Sequence, residues 1–415
     1  MKVPIKIIYL PLFVVLLLIQ LYLTSFRVNA LILLGALGFC LFLNASLSRK
    51  FINHAIPLAI LLCLGFVGTL IYHYKIVDVI KDIFHFIKPL IAIFVSYIIF
   101  KKINNFHLFI KTIVIAAMIS VLIHGFILAF LINSWGNIER IREFTKDNFL
   151  ELFALMFLIY YKRFEGRNLF KPAYTRIFIV LLFVSCFLYF SRTMMIVAGL
   201  FVAAVHGYTK ITTKTVKVAA LFIVAVGLFY SYLYSINIPR DKAGISAFFY
   251  KVKMAPEEIF TGRVDRDNLA QVWDHWRGYE AKRALDLMKS KPESFVFGTG
   301  YGSLVNLKFY APLTGEKKGI RYISELHNGY IYILYKTGII GILVYLFMLG
   351  RMYGYVYKSL NFRNLLISTI GSIYLISTFT ITGIYNTRDI FIFVLGGALA
   401  FMAPNTPARK HTEEQ

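Results

Sequence analysis

A chain of 415 residues that is 58% hydrophobic, 17% aromatic and only 16% charged cannot turn most of its length to water. That balance excludes a soluble globular domain and points to a polytopic membrane protein, because apolar runs able to cross about 30 Å of hydrocarbon recur throughout. The net charge of +24 follows the short loops between those runs, so it reads as topology and argues against a nucleic-acid partner.

In chain order the apolar runs fall at residues 7–24, 28–46, 53–73, 84–100, 109–132, 148–161, 175–190, 194–209, 216–236, 327–350, 364–384 and 388–403. Twelve spans is the best count, and ten is the alternative because 148–161 and 194–209 are short. About twenty Lys and Arg lie in loops on one side, among them Arg49, Lys50, Lys101, Lys162, Lys210 and Arg351, against about eight on the other. Cationic loops stay cytoplasmic, which places both termini there. The first run begins like a signal peptide, with Val28-Asn29-Ala30 loosely imitating a cleavage site, but the second run follows at once and the first is expected to be retained. Cys40, Cys63 and Cys186 all lie within runs, which leaves no disulfide framework and no thiolate metal site.

The chain therefore divides into nine spans over 1–236, a polar non-cytoplasmic loop over 237–326, three spans over 327–403 and a cytoplasmic tail over 404–415. A segment as long as the loop is more than a connector. Within it, the stretch from Asp267 to Lys289 is patterned as a helix stopped by Pro292, with Leu269, Val272, Trp276, Ala281, Leu285 and Met288 at near-helical spacing. Arg277, Glu280 and Arg283 recur along one stripe of that helix; a surface ion-pair ladder is the bland explanation. The following FVFGTGYGSL, Phe295 to Leu304, is a glycine-rich turn without the βαβ context of a dinucleotide site.

Three further features concern chemistry. Arg192, in YFSRTMM, stands between two apolar runs; it either snorkels to the interface or offers fixed donors to a phosphate. His327 stands where the loop enters the tenth span, where an imidazole titrates near neutrality, and Glu325 and Asn328 are polar neighbours beside a positive helix end. Lys336, nine residues further and roughly 13 Å deeper by helical rise, needs a carboxylate, a lipid phosphate or an internal partner, while Gly338 and Gly341 would let another helix approach closely. Asp265-Arg266-Asp267 copies the acidic pair of cytoplasmic nucleotide-sugar enzymes, but on the outer face that substrate is absent. The first acid anywhere is Asp78, so a metal-dependent reading has little support.

Taken together these residues resemble the O-antigen ligase and O-antigen polymerase superfamily of bacterial cell-envelope glycosyltransferases. His327-Asn328, nine residues and Gly338-Ile-Ile-Gly341 reproduce the ligase motif; Ser191-Arg192 is similar to the family's Ser-Arg at an outer helix junction, and Arg283 to Leu287 fits its Arg-x-x-x-Leu pattern. The resemblance covers residues 185–345 by motif, and the aromatic residue that often follows the family's Gly-x-x-Gly is absent, with Ile342 near its place. It implies an all-α, GT-C-like polytopic fold in the bacterial inner membrane, with the active site facing the periplasm. It also implies an inverting transfer, with no cofactor or metal, of a glycan from undecaprenyl pyrophosphate to an acceptor such as lipid A-core.

On that reading His327 is the base that takes the acceptor's proton. Arg192, Arg277 and Arg283, with Arg263 and Arg266, surround the pyrophosphate. Glu280 orients an arginine or the acceptor, and Asn328 holds the His or a sugar hydroxyl. The same residues serve a polymerase whose acceptor is another lipid-linked repeat. A transporter or flippase is the rival from another class, but it should show repeated halves and mid-membrane polar sites, whereas here the intramembrane cations are few, mainly Lys88 and Lys336.

Overall fold

Each of the twelve apolar runs overlaps a helix in the computed structural model, which describes residues 5–23, 25–42, 46–130, 147–240, 245–258, 268–312 and 319–402. These are α1 (Ile5–Tyr22), α2 (Phe26–Phe42), α3 (Arg49–Tyr72), α4 (Ile76–Ile103), α5 (Phe106–Phe130), α6 (Phe149–Glu165), α7 (Pro172–Leu188), α8 (Arg192–Val205) and α9 (Thr213–Ser235) before the loop. The loop holds α10 (Ile245–Met254), α11 (Leu269–Asp274), α12 (Trp276–Lys289) and α13 (Ser294–Phe297), and after it come α14 (Gly329–Tyr353), α15 (Phe362–Thr380) and α16 (Phe391–Leu399).

Five of these, α3, α4, α5, α9 and the helix beginning at Gly329, are long and apolar enough to cross a membrane, and α1, α2, α7 and α8 are shorter apolar helices. The molecule is a multi-pass membrane protein. The run expected at 388–403 yields only the nine residues of α16, about 14 Å by helical rise and half the hydrocarbon thickness. Polar Arg388 and Asp389 precede it, and Asp389 accepts from Phe391 N at 2.9 Å, so helix starts only past them. At the other extreme α4 starts eight residues before its expected span, so that Asp82 is not in a short loop but buried in a helix.

Polar caps set the helix starts near the loop. Asn328 accepts from Tyr330 N and Ile331 N to begin α14, and Ser191 accepts from Met194 N to begin α8. The helix expected from Asp267 to Lys289 is broken at His275, whose φ of −117° and ψ of 23° are not helical, and is therefore two helices, α11 and α12. The loop also contains a feature absent from the all-helical expectation for it: an antiparallel hairpin of β1 (Val305–Ala311) and β2 (Ile320–Ile323), with Val305 opposite Ile323 and Asn306 opposite Tyr322. Its buried Leu307 and Ala311 form a small core with Val272, Trp276 and Tyr279. The hairpin thereby braces α12.

The glycine-rich turn locks the loop to the bundle. Gly338 interrupts α14 with φ 71° and ψ −172°, and on the turn this opens the carbonyls of Tyr335 and Lys336 accept from Thr299 N at 2.7 Å and Gly300 N at 3.2 Å. On the opposite side a Cβ at Gly300, whose φ is +80°, would lie 2.1 Å from Thr69 N of α3, so only glycine fits. What Gly338 admits is the short loop helix α13, whose Val296 carbonyl oxygen would lie 2.0 Å from a Cβ at that position, and Gly341 faces α3 through Leu61. Lys336 has an internal partner: its Nζ donates to Asp82 Oδ2 at 2.5 Å and to the Ser303 carbonyl at 2.7 Å, and the same carboxylate oxygen accepts from Gly302 N at 2.7 Å. Helices α3, α4 and α14 together hold residues 298–303, and so fix α12 and the hairpin above the head of α14.

Candidate active site

Helix α12 turns Arg277 and Glu280 to one side, three residues apart, while Trp276 and Tyr279 face the hairpin. Glu280 is the buried anchor of the site. Its carboxylate accepts from the main-chain N of His327 at 3.0 Å, and its two oxygens lie 2.9 and 3.1 Å from His327 Nδ1. A carboxylate only accepts, so Nδ1 carries the proton and Nε2 keeps its lone pair. The Glu280 side chain is 2% exposed and that of His327 54%, which leaves the basic edge of the ring open. Desolvation pulls the imidazole pKa down, but the hydrogen bond and charge of Glu280 outweigh it and bring it above the usual value.

Beside this pair two arginines converge on one carboxylate. Arg192, at the first position of α8, directs Nη2 to Glu258 Oε1 at 3.3 Å and Nη1 to the Lys251 carbonyl, while Arg277 Nη1 bonds Glu258 Oε2. Among the described residues Arg277 Nε is buried without a partner. Arg192 thus ties α8 to α10 and, through Glu258, to α12. Its junction is supported from below by buried Glu151, which accepts from Ser120, Asn148, Ser185 and Tyr189. Next to Ser191 an apolar cavity of about 350 Å³ opens between α6, α7, α8 and α10, lined by Met156, Phe183, Phe187, Met194, Phe248 and Phe249 among others.

Of the residues expected from sequence, His327, Glu280, Arg277 and Arg192 are thus brought into two adjacent pairs. Arg283 is turned to other work, with Nε on the Asn306 carbonyl at 3.0 Å and Nη1 on Asp286 at 3.1 Å. The Asn328 oxygen caps α14 rather than meeting His327. Arg263 and Arg266, like Asp265 and Asp267, lie outside the described residues. Glu258 was missed, since it lies in a polar run with no spacing to single it out, and so was His85 of α4, whose Nε2 lies 2.8 Å from Glu325. Nothing short of the fold would have paired those two.

A basic nitrogen open on one edge, set beside two guanidiniums, suits group transfer from a phosphate-bearing donor, and the neighbouring cavity suits a lipid. That is the class of membrane enzymes that act on lipid-linked substrates. Residues 177–346 match the family model described as O-antigen ligase, and over that stretch the chain is similar to the O-antigen ligase superfamily. The match runs from α7 through the loop into α14 and contains Arg192, Glu258, Arg277, Glu280 and His327. The resemblance read from the sequence motifs thus holds, and with it the general kind of enzyme, a ligase or polymerase acting on lipid-linked glycans. No curated protein and no solved structure matches the chain.

Proposed function

We propose that the protein is an inverting glycosyltransferase of the ligase type, which moves a glycan from undecaprenyl pyrophosphate to an acceptor hydroxyl, with lipid A-core as the acceptor class, on the periplasmic face of the inner membrane, within a twelve-span fold. The observation that carries this reading is the His327–Glu280 pair, with its Nε2 edge open, inside the matched segment. The acceptor oxygen attacks the anomeric carbon and passes its proton to Nε2 of His327; the bond from that carbon to the pyrophosphate oxygen breaks, and its electrons leave with undecaprenyl pyrophosphate. Glu280 holds the ring in the required tautomer and stabilises the imidazolium that forms.

The leaving group gains negative charge as the bond breaks, and Arg192 and Arg277 are the donors that stabilise it. Both already converge on the carboxylate of Glu258, a geometry that a phosphate matches. Arg263 and Arg266 are assigned to the same pyrophosphate from the segment between α10 and α11. The apolar cavity beside Ser191 would take a short stretch of the polyprenyl chain. Arg283 and Asn328 support the site through the hairpin and the head of α14.

The test is transfer in vitro, with purified protein, a labelled glycan on undecaprenyl pyrophosphate, and either lipid A-core or a second lipid-linked repeat as acceptor. The expected result is labelled lipid A-core and released undecaprenyl pyrophosphate with the wild type. With His327→Ala both products should vanish, although the variant remains inserted and abundant. Near-normal transfer by that variant would overturn the assignment, and label appearing only on the second repeat would make the enzyme a polymerase.

A further inference from the structure

Residues 324–328 connect β2 to α14, and within this connection Glu325 and His327 are gripped by different parts of the molecule. His327 hangs from Glu280 of the loop helix α12. Glu325 is held by the membrane bundle instead: its Oε1 lies 2.8 Å from Nε2 of His85 and 3.6 Å from Nζ of Lys81, which stand one turn apart on α4. His85 is itself buried and stacks on Phe26 of α2, with ring centres 3.8 Å apart and planes 3° from parallel. Leu326 is buried between the two grips.

We propose that Glu325 is a positioning residue of the catalytic centre: pinned to α4 by His85 and Lys81, it fixes the main chain that presents His327 and sets a second carboxylate charge beside the imidazole. This rests on His327 being the base of the proposed reaction.

The electrostatics agree with the geometry. The groups acting on His327 are Glu280 and Arg277 from α12 and Glu325 from its own segment; both carboxylates favour the imidazolium and Arg277 opposes it. Glu325 in turn faces His85 and Lys81. Desolvation would raise its own carboxyl, but the hydrogen bond and charge of His85, with Lys81, bring it down to about 2. It is therefore ionised at any working pH, and its field makes Nε2 of His327 a stronger base at the moment the acceptor hydroxyl gives up its proton.

Two variants separate position from charge. Glu325→Gln keeps an acceptor for His85 and removes the charge, whereas His85→Phe keeps a ring over Phe26 and removes the anchor. The first readout is the pH dependence of diethyl pyrocarbonate modification at His327, followed by peptide mass spectrometry, which needs no turnover. In Glu325→Gln its midpoint should fall by roughly half a pH unit, with the pH–rate profile for transfer moving the same way. In His85→Phe, kcat should fall about tenfold with the donor KM little changed, and His85→Gln, which restores an N–H near the position of Nε2, should recover most of it. An unmoved midpoint in Glu325→Gln, or full kcat in a folded His85→Phe, would overturn the proposal. Should transfer prove not to use His327 at all, the midpoint would still shift, and that outcome separates failure of the enzymatic reading from failure of the electrostatic one.

Discussion

Two ion pairs stand nine positions apart in the same segment, at His327 and Lys336, and their difference is instructive. Lys336 and Asp82 meet at 2.5 Å with both side chains fully buried. The ammonium also binds the Ser303 carbonyl and the carboxylate also binds Gly302 N, so the pair closes around the glycine-rich turn. His327 and Glu280 meet at 2.9 Å with the carboxylate buried and the imidazole 54% exposed. One partner is fixed and the other keeps a free basic atom. An ionic group within apolar surroundings is thus poor evidence of chemistry by itself; what marks the second pair is that it is oriented on one side and open on the other. Arg283 is tied to the hairpin, whereas Arg277 joins Arg192 on the carboxylate of Glu258 beside the open pair.

The sharpest way to break this contrast is Glu280→Gln. The amide places an N–H donor against Nδ1, the imidazole turns to its other tautomer, and Nε2 acquires the proton it was meant to accept. Transfer should fall by about 10²–10⁴-fold, measured as initial rate with saturating donor, while the detergent-solubilised protein melts near its normal temperature. In the wild type the rate should rise with pH through a midpoint above the usual imidazole value, because the base works only when neutral and the paired carboxylates favour its protonated form. A variant that keeps both rate and midpoint would reduce Glu280 to a structural anchor.

The closed pair should respond in the opposite way. Lys336→Met strands Asp82 in the bundle without its cation, a change that costs about 3–5 kcal/mol when a buried pair loses one partner. Thermal unfolding in detergent should show it as a large fall in melting temperature, and the double variant Lys336→Met with Asp82→Leu should recover much of the loss, since an apolar pair of similar volume carries no stranded charge. Activity per folded molecule should stay near normal. Loss of activity without loss of stability would move Lys336 into the catalytic machinery.

Most of the helical framework was legible, because a span announces itself in twenty consecutive apolar residues, and His327 was legible because its spacing to Gly338 and Gly341 lies within one local segment. What stayed hidden depended on residues far apart in the chain. Asp82 and Lys336 are separated by 254 positions, and Glu258 joins arginines 66 residues before it and 19 after it. No local pattern records such a partner. The hairpin was missed for another reason: Val305 to Ala311 alternates in burial, but an irregularity between Asn306 and Ala311, where Lys308 takes φ +65°, breaks its register. The stripe of Arg277, Glu280 and Arg283 was visible on one helix face, yet only packing decides that the first two face the site and the third faces Asn306.

Arg192→Lys should have the smallest effect, and it tests whether the open side of the site depends on shape as well as charge. An ammonium at the start of α8 keeps the positive charge near Glu258. It cannot reproduce a planar fork that reaches Glu258 with Nη2 and the Lys251 carbonyl with Nη1 at once. The cost should therefore appear in transition-state stabilisation, as a roughly tenfold lower kcat/KM for the lipid-linked donor, with little change in melting temperature because the lost contacts are partly solvated. Full activity with Lys would mean that Arg192 acts as a point charge, and would leave Arg277 as the donor whose geometry matters.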